Sequence, residues 1–380
     1  MNMDTSSMPV PMALGHTYLP ILKWKRGEQT AVAHLAPAVK SALLPVFEAL
    51  PDSGAATKTT AGSFNASLNK LIAQIGSSWG AATAALELAG VAAPRVSVRG
   101  NHPVDVAFAR ARADGLALIP VTGLGRGGAH DQAVARVVAR DQRGLVLRVS
   151  GDDLVDVSLA TRLGVLANSL GTTCSAVDLV LDWGFADAST APRVAAAAAA
   201  AAVQLSALPW RTITFAAGSF PQSLSHIGAS TAHLLRGDWA AWNQLRAMPH
   251  LAHVRFGDYA VAHPVYTHVP YVGAANIRYT VDAHWLVLRG HKLTGPAYGG
   301  FGQFVTLARQ LAADPRYCGP AFSWGDDRIA RFAAGAAGTG NSTTWRAIAT
   351  NHHLTFVARQ IATSSGASAG HGRSRGARAA

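Results

Sequence analysis

Eight short apolar runs, most of them closed by a polar residue, recur along this chain at near-regular spacing, and that recurrence restricts its fold more than any other feature. They occupy residues 18–23, 43–48, 83–87, 116–122, 145–148, 177–182, 212–219 and 254–258. Each run is nearly continuous in apolar residues, as expected of strands buried on both faces. The segments between them carry helical spacing, at residues 28–40, 64–75, 103–113, 131–140, 153–170, 191–208 and 231–248. Eight strand–helix units predict a closed (β/α)8 barrel, a TIM-like α/β fold. In such a barrel the C-terminal strand ends share one rim, so the polar residues that close the runs are expected to converge there.

The composition admits a large core. Of the 380 residues 49% are hydrophobic and 14% charged, which excludes a chain disordered throughout. The two cysteines, Cys174 and Cys318, have neither disulfide-framework nor zinc spacing and read as buried thiols of a reducing compartment. No apolar run approaches the roughly 18–20 residues that span a bilayer. The longest, residues 194–208, is mostly alanine and follows Pro192, which marks a helix start. Residues 1–16 lack the pattern of a secretory signal. A cytoplasmic location without membrane association is therefore expected. The formal charge is +12, which favours nucleic acid, phosphorylated ligands or acidic partners.

Residues 1–16 and the basic tail 364–380 are small, polar and aperiodic, and are expected to be disordered. The Gly/Ala/Thr/Ser-rich stretch 51–62 reads as a flexible rim loop. The barrel is assigned to residues 17–262. Beyond it, residues 276–280 and 285–289 read as a hairpin, followed by helices at 301–312, near 326 and at 343–363. This segment, 263–363, is expected to be a C-terminal extension of hairpin plus helices packed on the barrel.

Several phrases, taken in order, resemble the bacterial and phage "beta protein" family. They are Tyr-Leu-Pro-Ile-Leu-Lys-Trp-Lys-Arg-Gly-Glu at 18–28, Leu-Leu-Pro-Val-Phe-Glu at 43–48 and Val-Asp-Leu-Val-Leu-Asp-Trp-Gly at 177–184. Further on come Ser-Phe-Pro at 219–221, Phe-Gly-Asp-Tyr-Ala at 256–260, Ile-Arg-Tyr-Thr at 277–280, Ser-Trp-Gly-Asp at 323–326 and His-His-Leu at 352–354. The resemblance runs from about residue 18 to about residue 361. It implies a barrel-like fold and a phage or bacterial-defence setting, without an established reaction. One departure is Glu87, where an aspartate is expected in relatives; the longer side chain would alter ligand or metal geometry.

The main candidate site is the ring of strand ends Lys23, Glu48, Glu87, Arg148, Asp182, Ser219 and Asp258. Glu48, Glu87 and Asp182 are oxygen donors of the kind that hold Mg²⁺ or Mn²⁺. Lys23 and Arg148 suit phosphate oxygens. Glu48, Asp182 and Asp258 are candidate acid–base catalysts. A Schiff-base role for Lys23 with pyridoxal phosphate is disfavoured, because no phosphate loop is paired with a stacking aromatic residue. Ser219 lacks the nucleophile elbow and reads as a hydrogen-bonding ligand residue.

Four further features stand beside the ring. His352 and His353 point about 100° apart on a helix, so both cannot hold one ion, but His353 is a candidate acid or base. Arg278, Tyr279 and Arg289 share the hairpin and suit a phosphate or nucleobase; pinning the hairpin to the barrel is the equal alternative. The glycine-rich loop 122–128 offers Arg126 and resembles a phosphate cradle, yet lacks the P-loop ending and reads better as a mobile rim loop. Trp239 and Trp242 share one helix face and read as packing. The working expectation is a charged rim pocket for a phosphate-bearing small molecule, with hydrolysis or phosphoryl chemistry, metal-assisted through the carboxylates. A non-enzymatic nucleic-acid binder and a scaffold subunit of a defence complex are the rival readings.

Overall fold

The computed structural model describes residues 16–50, 61–91, 101–267, 273–294 and 299–371. Eight parallel strands close a barrel in the order β1 (Tyr18–Lys23), β2 (Val46–Glu48), β3 (Ala84–Glu87), β4 (Leu118–Thr122), β5 (Leu145–Ser150), β6 (Val177–Phe185), β7 (Thr212–Gly218) and β9 (Arg255–Asp258). Between the last two lies β8 (Thr231–Leu235), which belongs to a different sheet. The closing seam pairs Tyr18 with Phe256 and Pro20 with Asp258. Pro20 is tolerated inside a buried strand because a parallel strand directs alternate residues' N–H groups to opposite neighbours, and one missing donor leaves the rest of the ladder intact.

Most helices lie where the periodicity puts them. Pro103–Ala113 starts with proline, and the His102 ring accepts from the Val104 N–H at 3.2 Å, which supplies the cap. The expected helix at 28–40 is two helices, Arg26–Ala33 and Pro37–Ala42. Pro37 cannot continue a preceding helix and instead starts a new one. The expected helix at 153–170 is a 3₁₀ turn, Gly151–Val155, followed by Leu159–Ser169. The 231–248 helix is corrected more substantially. Its first five residues are β8, and the helix is Gly237–Arg246. Gly237 makes this break possible, since a Cβ there would lie 2.3 Å from the Ala186 carbonyl oxygen.

β8 completes an antiparallel sheet with the hairpin β10 (Ala274–Val281) and β11 (His284–Lys292), in the order β10-β11-β8. The small sheet thus takes a strand from inside the segment assigned to the barrel. Helices Gln303–Ala312 and Trp324–Ala333 cover it, and the long helix Ser342–His371 packs against both it and the first barrel helix. That last helix runs past residue 364, where the disordered tail was expected to begin. The expected disorder at 1–15 and 372–380, and most of the 51–62 loop, fall outside the described residues. No helix among the described residues is long and apolar enough to cross a membrane.

The barrel itself has two apolar layers. One fills the barrel, and a larger one lies between the strands and the surrounding helices. At the closing seam the outer layer is aromatic. Phe256, wholly buried, meets Tyr18, Trp239 and Trp242 at ring-centroid distances of 5.9, 5.1 and 5.2 Å. Phe256→Ala should therefore cost roughly 3–5 kcal/mol of stability, read as a lowered urea midpoint with an unchanged slope.

Candidate functional site

Side chains alternate across a strand, so every second residue of a barrel strand points inward. The interior cluster contains Ile21, Val46, Ala85, Val121, Val146, Val180, Ala216 and Tyr259. Two residues further along β1, β2, β3, β5 and β6 the same face carries Lys23, Glu48, Glu87, Arg148 and Asp182. On β4 and β7 the equivalent positions are Gly123 and Gly218, which add no side chain. Parity therefore places five charged groups directly above the apolar plug, with Lys23, Glu48 and Glu87 side by side in register.

Arg148 organises them. Its Nε and Nη2 donate to Asp182 Oδ2 at 2.9 and 2.8 Å, and its Nη1 donates to Glu48 Oε1 at 3.1 Å and stands 3.9 Å from Glu87 Oε2. The Tyr259 hydroxyl accepts from Arg148 Nη2 at 2.7 Å and donates to Asp182 Oδ2 at 2.6 Å. Burial opposes the charge on Arg148, yet Asp182, Tyr259, Glu48 and Glu87 hold its pKa well above the usual arginine value. Burial, then Asp182, pushes the Tyr259 hydroxyl well above its ordinary value, so it remains a donor. The metal triad expected of Glu48, Glu87 and Asp182 is corrected by this arrangement. The guanidinium stands among the three carboxylates, where a divalent ion would have to bind. Among the described residues no group of three His, Cys, Asp or Glu side chains is placed to hold a metal.

Above the ring opens a cavity of about 360 Å³ whose polar walls are Lys23, Glu48, Glu87, Arg126, Arg148, Ser150 and Tyr266. Lys23 Nζ donates to the Pro264 carbonyl at 2.5 Å, lies 3.3 Å from Glu48 Oε2 and sits 4.7 Å from the Tyr259 ring centre. Burial lowers its pKa, with Glu48 acting in the opposite direction. Glu87 accepts from the Ala89 N–H at 2.9 Å and from Arg126 Nη2 at 3.1 Å. Burial raises its pKa despite Arg126 and Arg148. Arg126 comes from the glycine-rich loop after β4, which is thus the support of a cationic group rather than a backbone cradle. Gly123 lets that loop cross β5 closely, because a Cβ there would fall 2.3 Å from the Arg148 carbonyl oxygen. The expectation singled out this loop but gave Arg126 no place in the site. It also missed Tyr259, which parity would have found two residues beyond Gly257.

Parity equally explains which expected residues lie elsewhere. Asp258 follows the inward Gly257 and so faces outward, where it accepts from Tyr18 Oη at 2.6 Å and pairs with His353 Nε2 at 2.8 Å. Burial works to raise the Asp258 pKa, but His353, Tyr18 and the Ala260 N–H outweigh it and hold it below the usual carboxylate value. His353 is fully buried, stacks on Trp285 at 4.9 Å and shares its Nδ1 with Thr280 Oγ1. Neither lines the rim cavity, so both catalytic assignments are corrected. The outward Ser219 donates to Asp238 Oδ1 at 2.7 Å and accepts from Trp285 Nε1 at 3.0 Å, which commits it to packing. On β10, Arg278 and Tyr279 face opposite ways and cannot share a ligand. The Tyr279 hydroxyl donates to Asp326 at 2.7 Å, and Arg289, on β11, is bound to the Ile227 carbonyl in the segment before β8. Arg278 pins the hairpin to the Val261 carbonyl at 2.6 Å rather than to a carboxylate.

Removing the central cation takes away the ion-pair partner of Asp182 and leaves Glu48 and Glu87 to Lys23 and Arg126. Arg148→Met should cost about 3–5 kcal/mol at pH 7. Urea midpoints of both proteins at that pH test it. Asp238 supplies a pH dependence. Burial pushes it up to about 6, with Arg236 opposing and Asp258 assisting. Between its unfolded value and 6 the folded protein keeps a proton that the unfolded chain releases, so stability falls as the pH rises through that window. Asp238→Asn should flatten this slope between pH 4 and 6 in the same denaturation series.

No curated protein matches the chain. Among solved structures it is similar to the carboxyl transferase domain of Rhizobium etli pyruvate carboxylase in complex with pyruvate and biocytin. The identity is 14%, the TM-score 0.34, and the match covers 92% of this chain and 48% of that one. A variant of the same domain with pyruvate matches at 12% identity and a TM-score of 0.36, covering 90% of this chain and 49% of that one. This chain thus spans about half the length of those solved chains. A family model described as Beta protein matches residues 18–359, nearly the whole of the described barrel and its C-terminal layer, and the chain belongs to that Beta protein family.

Proposed function

We propose that the barrel-rim cavity binds a small phosphate-bearing molecule and that Glu87 and Glu48 carry out acid–base hydrolysis on it. The observation that carries this reading is the composition of the cavity wall. Lys23 from β1 and Arg126 from the loop after β4 line it, and two carboxylates in register on β2 and β3 lie between those strands. Arg126 donates to Glu87 through Nη2 alone, and among the described residues its other guanidinium nitrogens have no acceptor. Those nitrogens and the Lys23 ammonium suit phosphate oxygens.

The carboxylate pair supports the reaction class. Glu87 is buried with a raised pKa and is suited to donate a proton to a leaving oxygen, while Glu48, held between Lys23 and Arg148, accepts one from water. Arg148 stabilises negative charge from below without belonging to the wall's exchangeable donors. Its placement supports a reaction that uses a resident guanidinium where other barrels use a metal. Membership of the Beta protein family is what supports a phage- or defence-associated setting.

A ligand at one hundred times its Kd stabilises a protein by about 2.7 kcal/mol, so thermal shift is the direct test. Wild type, Arg126→Gln and Glu87→Gln are to be screened against sugar phosphates, nucleotides, short DNA and short RNA. A phosphorylated small molecule should stabilise the wild type. Arg126→Gln should bind it about tenfold or more weakly, the scale of one lost charge-assisted hydrogen bond. Glu87→Gln should retain binding but lose turnover. Equal stabilisation of all three by nucleic acid alone would overturn the rim reading and move the function to the basic surface.

A further inference from the structure

We infer that a second, separate anion site lies in the C-terminal layer, where the hairpin meets the start of the last helix, and that it takes a phosphate group. A cavity of about 160 Å³ there is lined by Asn276, Arg278, Phe304, Ser342, Trp345 and Arg346. Both arginines donate to one backbone oxygen, that of Val261, Arg278 Nη1 at 2.6 Å and Arg346 Nη1 at 2.8 Å. Arg278 Nε also reaches Asn276 Oδ1 at 3.2 Å, and its guanidinium lies 4.0 Å from the Phe220 ring centre. Among the described residues neither arginine forms an ion pair with a carboxylate.

Two guanidinium groups held to one carbonyl repel each other, and water removed by burial no longer screens them. Burial, then the charge of Arg346, drives the Arg278 pKa well below its ordinary value. The nearby carboxylate is Glu28, whose pKa burial raises and Arg346 opposes. One carboxylate thus faces two guanidinium groups, and the pocket carries an excess of positive charge. Ser342 opens a 30-residue helix, whose N-terminal end adds further positive potential.

Size and wall chemistry narrow the ligand. Trp345 and Phe304 stack on each other at 4.9 Å and 11°, so those paired faces are not available to a base. The volume suits a phosphate or the head of a phosphomonoester rather than a nucleotide. Planar guanidinium forks match its oxygens.

Calorimetric titration with inorganic phosphate and with glycerol phosphate tests the site. The proteins compared are wild type, Arg346→Gln, Ser342→Phe and the rim variant Arg126→Gln. The C-terminal site should bind phosphate with the same affinity in wild type and in Arg126→Gln, which weakens the rim site alone, whereas Arg346→Gln and Ser342→Phe should weaken the C-terminal site at least tenfold while binding at the rim persists. Ser342 is exposed, so its phenylalanine fills the cavity mouth without entering the core, and that variant decides the matter if Arg346→Gln fails to fold. Preference for glycerol phosphate would identify a phosphomonoester, and equal or better binding of inorganic phosphate a free ion. The inference is overturned if neither probe binds the wild type, if Ser342→Phe binds as wild type does, or if Arg126→Gln abolishes binding. The first two results leave the rim reading intact, and the third assigns the phosphate to the rim.

Discussion

Arg148 is the charge on which the barrel's functional end depends. A closed parallel barrel forces inward residues from all eight strands into a narrow space, and here the layer above the apolar plug holds three carboxylates. Glu48, Glu87 and Asp182 could not share that space without a cation among them. Arg148 supplies it in a geometry a lysine could not reproduce, because a planar fork can address Asp182, Glu48 and Tyr259 from different nitrogens at once. The same guanidinium satisfies the acceptors that would otherwise be left unpaired in a region closed to water below.

The C-terminal layer is tied to this rim through one short segment. Asp258 is held from outside by Tyr18 and His353, Val261 by Arg278 and Arg346, and Pro264 by Lys23. Tyr259 lies among these anchors and faces inward to Asp182 and Arg148. The hairpin and the last helix therefore fix the position of one wall of the rim without entering it. This is why His353, which reads as catalytic in the chain, and Arg278, which reads as ligand-binding, both serve to hold that wall.

The barrel was legible because apolar runs alternating with helical spacing have few other solutions. The antiparallel sheet was half legible. Its hairpin alternates plainly, but the third strand, Thr231–Leu235, has no buried residue and carries no strong strand pattern. Its pairing with β11 is a tertiary choice that overrides local propensity. In the site, the strand-end ring was read as though each terminal polar residue faced inward. Counting by twos from the apolar plug separates Lys23, Glu48, Glu87, Arg148 and Asp182 from Asp258 and Ser219 without a structure. Arg126 was visible only as a loop residue, since nothing local shows that its guanidinium would reach Glu87 on a neighbouring strand.

Glu87 is where that separation matters for chemistry. An aspartate there would be one methylene shorter and would draw the carboxylate back toward the strand. The glutamate instead reaches the Ala89 N–H with one oxygen and Arg126 with the other. Burial raises its pKa, while the loop arginine limits the rise without closing the cavity. A carboxyl group in that balance keeps its proton to higher pH than an exposed one does. In the proposed reaction its partner is Glu48, in register on the adjacent strand and bound to two cations. Similar carboxyl groups on neighbouring strands thus acquire different electrostatic surroundings from the residues that parity and one glycine-rich loop bring beside them.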